Sequence, residues 1–361
     1  MITNIKRMSH WFLCAALVTF NYSLLTSCEN GDQEFDDFDY QTVYFAQQTP
    51  IRTIVLGNDA VYDNTLDNNH HFQIYATVGG VWKNRYDRTI KVVVDESLCV
   101  GKQFADGRDV IPLPTTHYNL LGNNTITIPE GEIMGCIEVE LTDAFFNDEK
   151  SLDLNYVLPL RILDAADSIL DKKDYTLYAV KYINKYDGAW ISYGTDEIDL
   201  NGVKTTVKRE ATYLERNEIR YITSLGLNVC SYPHETTVNT HELKVENDNG
   251  VEKTVIKEVS KTLYCDLKLS FDGSDNCVAS TTSANCVASG TGSWTSLGAI
   301  KAWGDKDRDA MALNYTIDYA YTDYVDQAGT PVAVTRHKII KSEDNLVMRD
   351  RQEKFETFST K

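Results

Sequence analysis

Trp82 stands in the run Val78-Gly79-Gly80-Val81-Trp82-Lys83-Asn84-Arg85. A large aromatic face in a glycine-hinged, polar loop suits one chemistry well. It stacks on the apolar face of a sugar ring while neighbouring amide and guanidinium groups hydrogen-bond the hydroxyls. Trp82, Asn84 and Arg85 are therefore candidate glycan-binding residues, set against the plainer role of a tryptophan that caps a core. Trp303, beside the charged run Asp305-Lys306-Asp307-Arg308-Asp309, is the second aromatic candidate. Trp190 and Trp294 each follow a Gly-x pair and read as structural. Tyr315, Tyr319 and Tyr321 share one strand face, with Tyr324 beyond them, a spacing that predicts an aromatic ladder across strands.

Asp305, Asp307 and Asp309 alternate like the ligands of a calcium loop. Yet no glycine follows at the turn position, no glutamate closes the twelfth place, and Lys306 and Arg308 offset the charge. The pattern favours a solvated loop with local ion pairs over a calcium site. The seven histidines are scattered, and His70-His71 reads as a loop pair before a strand. No nucleophile elbow, HExxH, phosphate loop or dinucleotide fingerprint occurs. The expectation is no catalytic residue, no metal and no cofactor. A glycosidase with a carboxylate pair hidden among the 53 acidic residues is the enzymatic alternative, and a structural or adhesive surface protein the third reading.

The elements that must position these residues begin after an address. Lys6 and Arg7 precede a mostly apolar stretch, Trp11 to Leu25, too short and too polar to span a bilayer. It predicts a secretory leader over residues 1–27. Leu25-Thr26-Ser27-Cys28 resembles the bacterial lipobox, which implies cleavage before Cys28 and attachment of outer-membrane lipid to its thiol. Six carboxylates then fall between Glu29 and Asp39, with no Lys or Arg. Residues 28–40 are expected to form a solvated acidic tether. Acidic residues just behind the cysteine also resemble the export signal of Bacteroidetes surface lipoproteins. The implied location is the outer membrane, lipid-anchored and exposed at the cell surface.

The 361 residues carry 35 Lys+Arg against 53 Asp+Glu, a net charge of −18. Removal of residues 1–27 would leave 334 residues at −20, because Lys6 and Arg7 leave too. So acidic a chain excludes a nucleic-acid partner, which needs clustered cations. Of the eight cysteines, Cys14 goes with the leader and Cys28 is the predicted lipid acceptor. Cys99, Cys136, Cys230, Cys265, Cys277 and Cys286 remain, an even set that permits disulfides or buried thiols equally. If pairing stays within each half, Cys99 with Cys136 is the candidate N-terminal bridge, and the other four allow three connectivities.

From Thr42 the chain reads as short alternating strands, eight of them before Asn184, which predicts an all-β protein. Residues 41–183 suit an immunoglobulin-like β-sandwich, with a helical turn or two at Ala165–Leu170. Residues 184–361 suit an antiparallel β-barrel or a second sandwich. Asn276-Cys277-Val278-Ala279-Ser280 recurs as Asn285-Cys286-Val287-Ala288-Ser289, which predicts a two-stranded ribbon. Gly188-Ala189-Trp190 resembles the Gly-x-Trp signature of lipocalin-like barrels, where an arginine near the last strand packs over the tryptophan; Arg349 and Arg351 are the candidates. The barrel mouth would hold a ligand if wide, and would be filled by side chains if narrow.

Further runs point to one family. Thr42-Val43-Tyr44-Phe45-Ala46, Arg52-Thr53-Ile54, Val78-Gly79-Gly80-Val81, and Asp87-Arg88-Thr89-Ile90 before Val92-Val93-Val94-Asp95 resemble the N-terminal domain of Bacteroidetes surface lipoproteins. That domain also stands in front of family-18 endoglycosidases. Gly290-Thr291-Gly292-Ser293-Trp294, Trp303 through Asp309, and Leu346-Val347-Met348-Arg349-Asp350-Arg351 resemble its usual C-terminal companion. The resemblance implies a non-catalytic, glycan-binding lipoprotein of a polysaccharide-utilisation system, with an importer and glycosidases as partners. Asp167-Ser168-Ile169 is similar to the O-glycosylated Asp-Ser-aliphatic sites of Bacteroidetes, making Ser168 a candidate acceptor.

Overall fold

The computed structural model describes residues 36–248, 251–352 and 354–361. The predicted leader, Cys28, the acidic run up to Phe35, and Asn249, Gly250 and Glu353 lie outside the described residues. The first half holds β1 (Thr42–Phe45), β2 (Pro50–Val55), β3 (His71–Gly79), β4 (Arg88–Val94), β5 (Ile111–Pro112), β6 (Tyr118–Leu120), β7 (Thr125–Ile128), β8 (Met134–Leu141), β9 (Tyr156–Ala165), β10 (Ser168–Ile169) and β11 (Tyr175–Ile183). The second holds β12 (Gly188–Leu200), β13 (Val203–Arg209), β14 (Glu218–Gly226), β15 (Val229–Asp248), β16 (Val251–Phe271), β17 (Asn276–Thr281), β18 (Cys286–Trp303), β19 (Lys306–Gln327), β20 (Thr330–Asp350) and β21 (Glu356–Thr357). The protein is all-β, as its alternation predicts.

Period-two burial builds the first half. Phe72, Ile74, Ala76 and Val78 of β3 are buried, whereas Gln73, Tyr75 and Thr77 are not. Ile137, Val139 and Leu141 of β8 repeat the pattern between Glu138 and Glu140. The sheet β10-β1-β3-β8-β6 therefore lays one apolar face on the sheet β21-β2-β11-β9-β4-β7, with β5 beside β9. Phe45, Phe72, Ile74, Leu158, Leu160 and Tyr182 belong to the core between them. Ala165–Leu170 is extended rather than helical. Ser168 and Ile169 add to β1 in parallel, and Asp167 is drawn onto the buried Arg88, so tertiary pairing overrides the local helical tendency.

The Cys99–Cys136 bridge does not form; all six cysteines among the described residues are free thiols. Cys136 lies in the row of β8 that faces away from the core, level with Tyr75. Cys99 packs with Phe104, Val157, Leu177 and Ala179, on the outer side of the other sheet. Both sheets separate the two sulfurs, far beyond the reach of a disulfide.

The second half is one sheet of nine strands in the order β13-β12-β14-β15-β16-β17-β18-β19-β20, and β12 also pairs with β20. That pairing runs from Ala189↔Asp350 to Leu200↔Lys338 and closes the sheet into a barrel rather than a second sandwich. β12 meets β14 through Gly188–Ser192 and β13 through Gly194–Leu200. Gly194 permits the hand-over, since a Cβ there would lie 1.9 Å from the Glu343 carbonyl oxygen. The first Asn-Cys-Val-Ala-Ser segment is β17 and the second opens β18, so the two lie on a hairpin, but they are not paired with each other: β17 pairs with Ser289–Ser293, and Cys286–Ser289 pair with β19.

The barrel interior is filled. Trp190, Tyr232 and Tyr319 are among its largest fully buried side chains. Asp344, also buried, accepts from the Tyr232 hydroxyl at 2.7 Å and the Tyr315 hydroxyl at 2.8 Å, and pairs with Arg209. Arg209 also grips Asp196 through Nε and Nη2, at 2.7 and 2.9 Å. Burial keeps the His234 imidazole neutral, its pKa pushed down to about 4.

One residue ties the halves together. Arg351, 5% exposed, donates from Nε to the Asn58 carbonyl at 3.2 Å, reaching back into the first half. Its other nitrogens donate to the carbonyls of Asn184, Lys185 and Asp187 in the connecting turn, at 3.3, 2.7 and 2.5 Å. Asp309 lies 3.8 Å from Nη2, and Asn58 Nδ2 donates to Asp309 at 2.8 Å. Trp190 Nε1 donates to the Tyr186 carbonyl inside the same turn. Of the two candidates, Arg351 rather than the more exposed Arg349 is buried at this end of the barrel. Past Arg351 the chain leaves the barrel, and β21 joins β2 of the sandwich.

Replacing Arg351 with Met strands four carbonyls and a buried carboxylate, so equilibrium urea unfolding should show a loss of about 3 kcal/mol or more. Arg351→Lys should recover only part of it, because an ammonium cannot satisfy a fan of carbonyls. Wild-type stability in Arg351→Met would show that the junction carries no such weight.

Candidate functional site

The loop between β3 and β4 carries three of the four candidate glycan-binding residues. It starts at Gly80, with φ 83°, where a Cβ would lie 2.4 Å from the Tyr40 carbonyl oxygen. Only glycine lets the incoming chain lie so close. Phe38 N–H then donates to the Gly80 carbonyl at 3.0 Å. Asp37 receives two donors from the loop, the Trp82 N–H at 2.6 Å and Arg85 Nη1 at 2.5 Å. The end of the acidic stretch is thus a docked latch, which differs from a tether solvated throughout residues 28–40. Asp37 and Phe38 meet loop partners there because the left-handed turn at Gly80 turns the Gly80 carbonyl and the Trp82 N–H toward them.

Each candidate residue has a distinct place. Trp82 is 54% exposed, so it does not cap the core. Arg85 is more than half exposed and bound to Asp37. Asn84 is buried and works as a brace: Nδ2 donates to the Pro129 carbonyl at 2.7 Å, and Oδ1 accepts from Arg88 Nε at 2.9 Å. Its amide therefore is committed to the protein and unavailable to a ligand. Buried Arg88 continues the brace to Gln41 and Asp167 and lies 4.3 Å from the Tyr86 ring centroid.

Three further aromatic rings, Phe38, Tyr40 and Tyr86, are exposed around the same loop and were not among the sequence candidates. Tyr86 was legible as an aromatic four residues from Trp82 in one polar loop. Phe38 and Tyr40 were hidden by their place in an acidic run that reads as disordered. Ser168 is exposed on edge strand β10, next to the Asp167 that Arg88 holds.

Trp303 does not join this corner. The Trp82 loop follows the end of β3, whereas Trp303 precedes the hairpin whose Lys306 donates to the Ala60 carbonyl before β3 begins. The nine residues of β3 alone span about 26 Å. Trp303 is half-buried, and its carbonyl accepts from Arg308 Nε.

The aspartates beside Trp303 have a structural task. The pairs Thr295↔Ala310, Ala299↔Arg308 and Trp303↔Lys306 leave β18 two extra residues at each step against β19. Leu297 and Lys301, with φ of 50° and 46°, sit inside these bulges. Their N–H groups donate to Asp309 and Asp307, both at 2.9 Å. The alternating carboxylates cap successive bulges. Asp305 instead occupies the Gly304-Asp305 turn, positive in φ at both residues as a type I′ hairpin needs, and points to solvent. Among the described residues no cluster of His, Cys, Asp and Glu is arranged to hold a metal.

A family model described as a domain of unknown function, DUF5627, matches residues 185–352. A second, described as an N-terminal domain, matches residues 38–169. A crystal structure of a protein of unknown function from Bacteroides ovatus is 32% identical, with a TM-score of 0.71 over 90% of this chain and 99% of that one. A multidomain protein including DUF1735 from Bacteroides ovatus is 14% identical, with a TM-score of 0.42 over 87% and 97%. An auxiliary nutrient-binding protein from Bacteroides thetaiotaomicron is 13% identical, with a TM-score of 0.34 over 82% and 90%, too distant to say what this chain binds. No curated protein matches.

The latch gives a pH prediction. Donation from the Trp82 N–H, with help from Arg85, holds the Asp37 carboxyl below its ordinary value of 3.8. A carboxyl depressed on docking stabilises the docked state fully above about pH 4 and loses that contribution as pH falls through the lowered value. The emission difference between the native protein and Trp82→Phe should stay constant above pH 4 and change below it. In Asp37→Asn the change should already be present at neutral pH; a native-like difference spectrum in that variant would dismiss the latch.

Proposed function

The chain belongs to the two-domain family, represented in Bacteroides, in which this N-terminal domain precedes DUF5627, and we propose that it is a non-catalytic surface lipoprotein that captures glycans. The observation that carries this reading is the exposed aromatic corner at Trp82, with Tyr86, Phe38 and Tyr40 around one braced loop. Aromatic faces in water are costly to leave uncovered and stack well on the C–H faces of sugar rings. The Asp37–Arg85 pair at their edge offers a carboxylate acceptor and guanidinium donors to hydroxyls.

The anchor fits the same reading. A lipid on Cys28 leaves seven residues before Asp36, and the eight Cα-to-Cα steps from Cys28 to Asp36 reach at most about 28 Å. The corner would then work close to the outer membrane, where a captured glycan passes to an importer and surface glycosidases. Single-site affinity of an open aromatic surface is weak, and display of many copies on one membrane raises it.

Affinity electrophoresis against a broad panel of plant and host polysaccharides tests the proposal. Retention by at least one is expected, weakened about tenfold or more in Trp82→Ala, the equivalent of about 1.4 kcal/mol. Passage through every gel without retention would overturn the glycan reading.

A further inference from the structure

We infer a second glycan-binding face on the outer wall of the barrel, centred on Tyr221 and Tyr264 and selective for oligosaccharides that carry no anionic groups. The inference deepens the glycan-binding reading above and rests on it. Along β14, β15 and β16 the residues alternate between the packed interior and solvent. Ile222, Tyr232, His234, Cys265 and Leu267 point in, which turns Tyr221, Pro233, Glu235, Tyr264 and Asp266 out. Glu235 pairs with Tyr264 and Pro233 with Asp266. Extending the Thr223↔Ser231 register by two residues sets Tyr221 level with Pro233. Two rows thus lie side by side on one face: Tyr221, Pro233, Asp266 and Ile219, Glu235, Tyr264.

Tyr221 is 50% exposed and Tyr264 67%. Two strand spacings and two residues of offset put their Cα atoms about 12 Å apart. That diagonal exceeds a single sugar ring, so the natural occupant is a chain of sugars. The surface between the rings is concave, a depression of about 440 Å³ lined by both tyrosines, Pro233, Glu235 and Asp266. Its size lies within the range of small-ligand sites.

Charge decides the class of sugar. Glu235 and Asp266 face outward and offer carboxylate acceptors to paired hydroxyls. Two cations stand nearby: Lys268 is exposed on the same face, one row beyond Asp266, and Arg220 borders the depression but is turned inward, 5.6 Å from the Tyr232 ring and 3.2 Å from Glu218. His234 is buried, neutral and bonded to the Tyr319 hydroxyl at 2.7 Å. A neutral or amino-bearing sugar is accepted by this surface. A uronate or sulfate between the rings would meet two carboxylates, with Lys268 one row outside the depression, a repulsive element that gives selectivity.

The test is affinity electrophoresis of the intact secreted body with xyloglucan, galactomannan, chitosan and polygalacturonate. Retention is expected with at least one of the first three and not with polygalacturonate. Tyr221→Ala and Tyr264→Ala should each weaken that retention about tenfold, and Tyr264→Phe should keep it because the ring remains. Trp82→Ala should leave part of it in place. Native retention in the Tyr221→Ala/Tyr264→Ala double variant, or retention by polygalacturonate alone, overturns the inference while leaving glycan binding standing. A native protein retained by none of the four probes overturns this inference alone, because the parent reading falls only when the broad panel also fails.

Discussion

The Arg351 guanidinium is the contact on which the rest of the architecture depends. It is a buried cation whose donors are shared among carbonyls of the first half, the connecting turn and, through Asp309, the barrel. A charge withdrawn from water is tolerated only where its hydrogen bonds are met, so the surrounding backbone has to converge on it. That convergence sets where β12 begins and where the loop after β2 must lie. It also explains the capped bulges of β18: the Asp309 that receives Asn58 and faces Arg351 is the same residue that caps Leu297. Strand irregularity and interdomain attachment share one carboxylate.

The barrel beyond the junction is closed and packed, which moves any binding to its outside. A lipocalin-like barrel wide enough to hold a ligand needs an interior with room. Here Trp190, Tyr232, Tyr315 and Tyr319 fill it, and Asp344, Arg209 and Asp196 satisfy one another among them. What remains available is surface, and aromatic surface in particular. At the sandwich corner that surface is held by braces beneath the loop, Asn84 and Arg88, rather than by the exposed rings themselves. The sequence marked Asn84 as a ligand contact; its burial makes it a positioning residue instead.

Much of the fold was legible because period-two burial is a strong signal. Phe72 to Val78 and Ile137 to Leu141 announce their faces without help. Closure of the barrel was hinted at only by Gly188, Trp190 and Arg351, since pairing of first and last strands is a long-range fact that local pattern does not carry. Ala165–Leu170 misled for the same reason: its conformation is set by β1 and Arg88, far away in sequence. Cys99 and Cys136 are a candidate bridge only because they are the two cysteines of the first half; they occupy opposite outer faces of the sandwich. The aspartates at 305, 307 and 309 have the spacing of ligands, but a period of two in β19 meets a period of four in β18, and only the register reveals bulge caps. Trp82 was readable from its loop. Tyr221 and Tyr264 were not, because each belongs to a different strand and they meet only when the wall is assembled.

The central claim is that glycans are held on exposed aromatic faces and not in a cavity. Hydroxyl-radical footprinting of the intact body, with and without a polysaccharide that retains it, tests this directly. The account predicts lowered oxidation at Trp82 and Tyr86, at Tyr221 and Tyr264, or at both pairs, with Trp303 unchanged. Protection confined to Trp303, or oxidation of all five residues unaltered under saturating glycan, would contradict it.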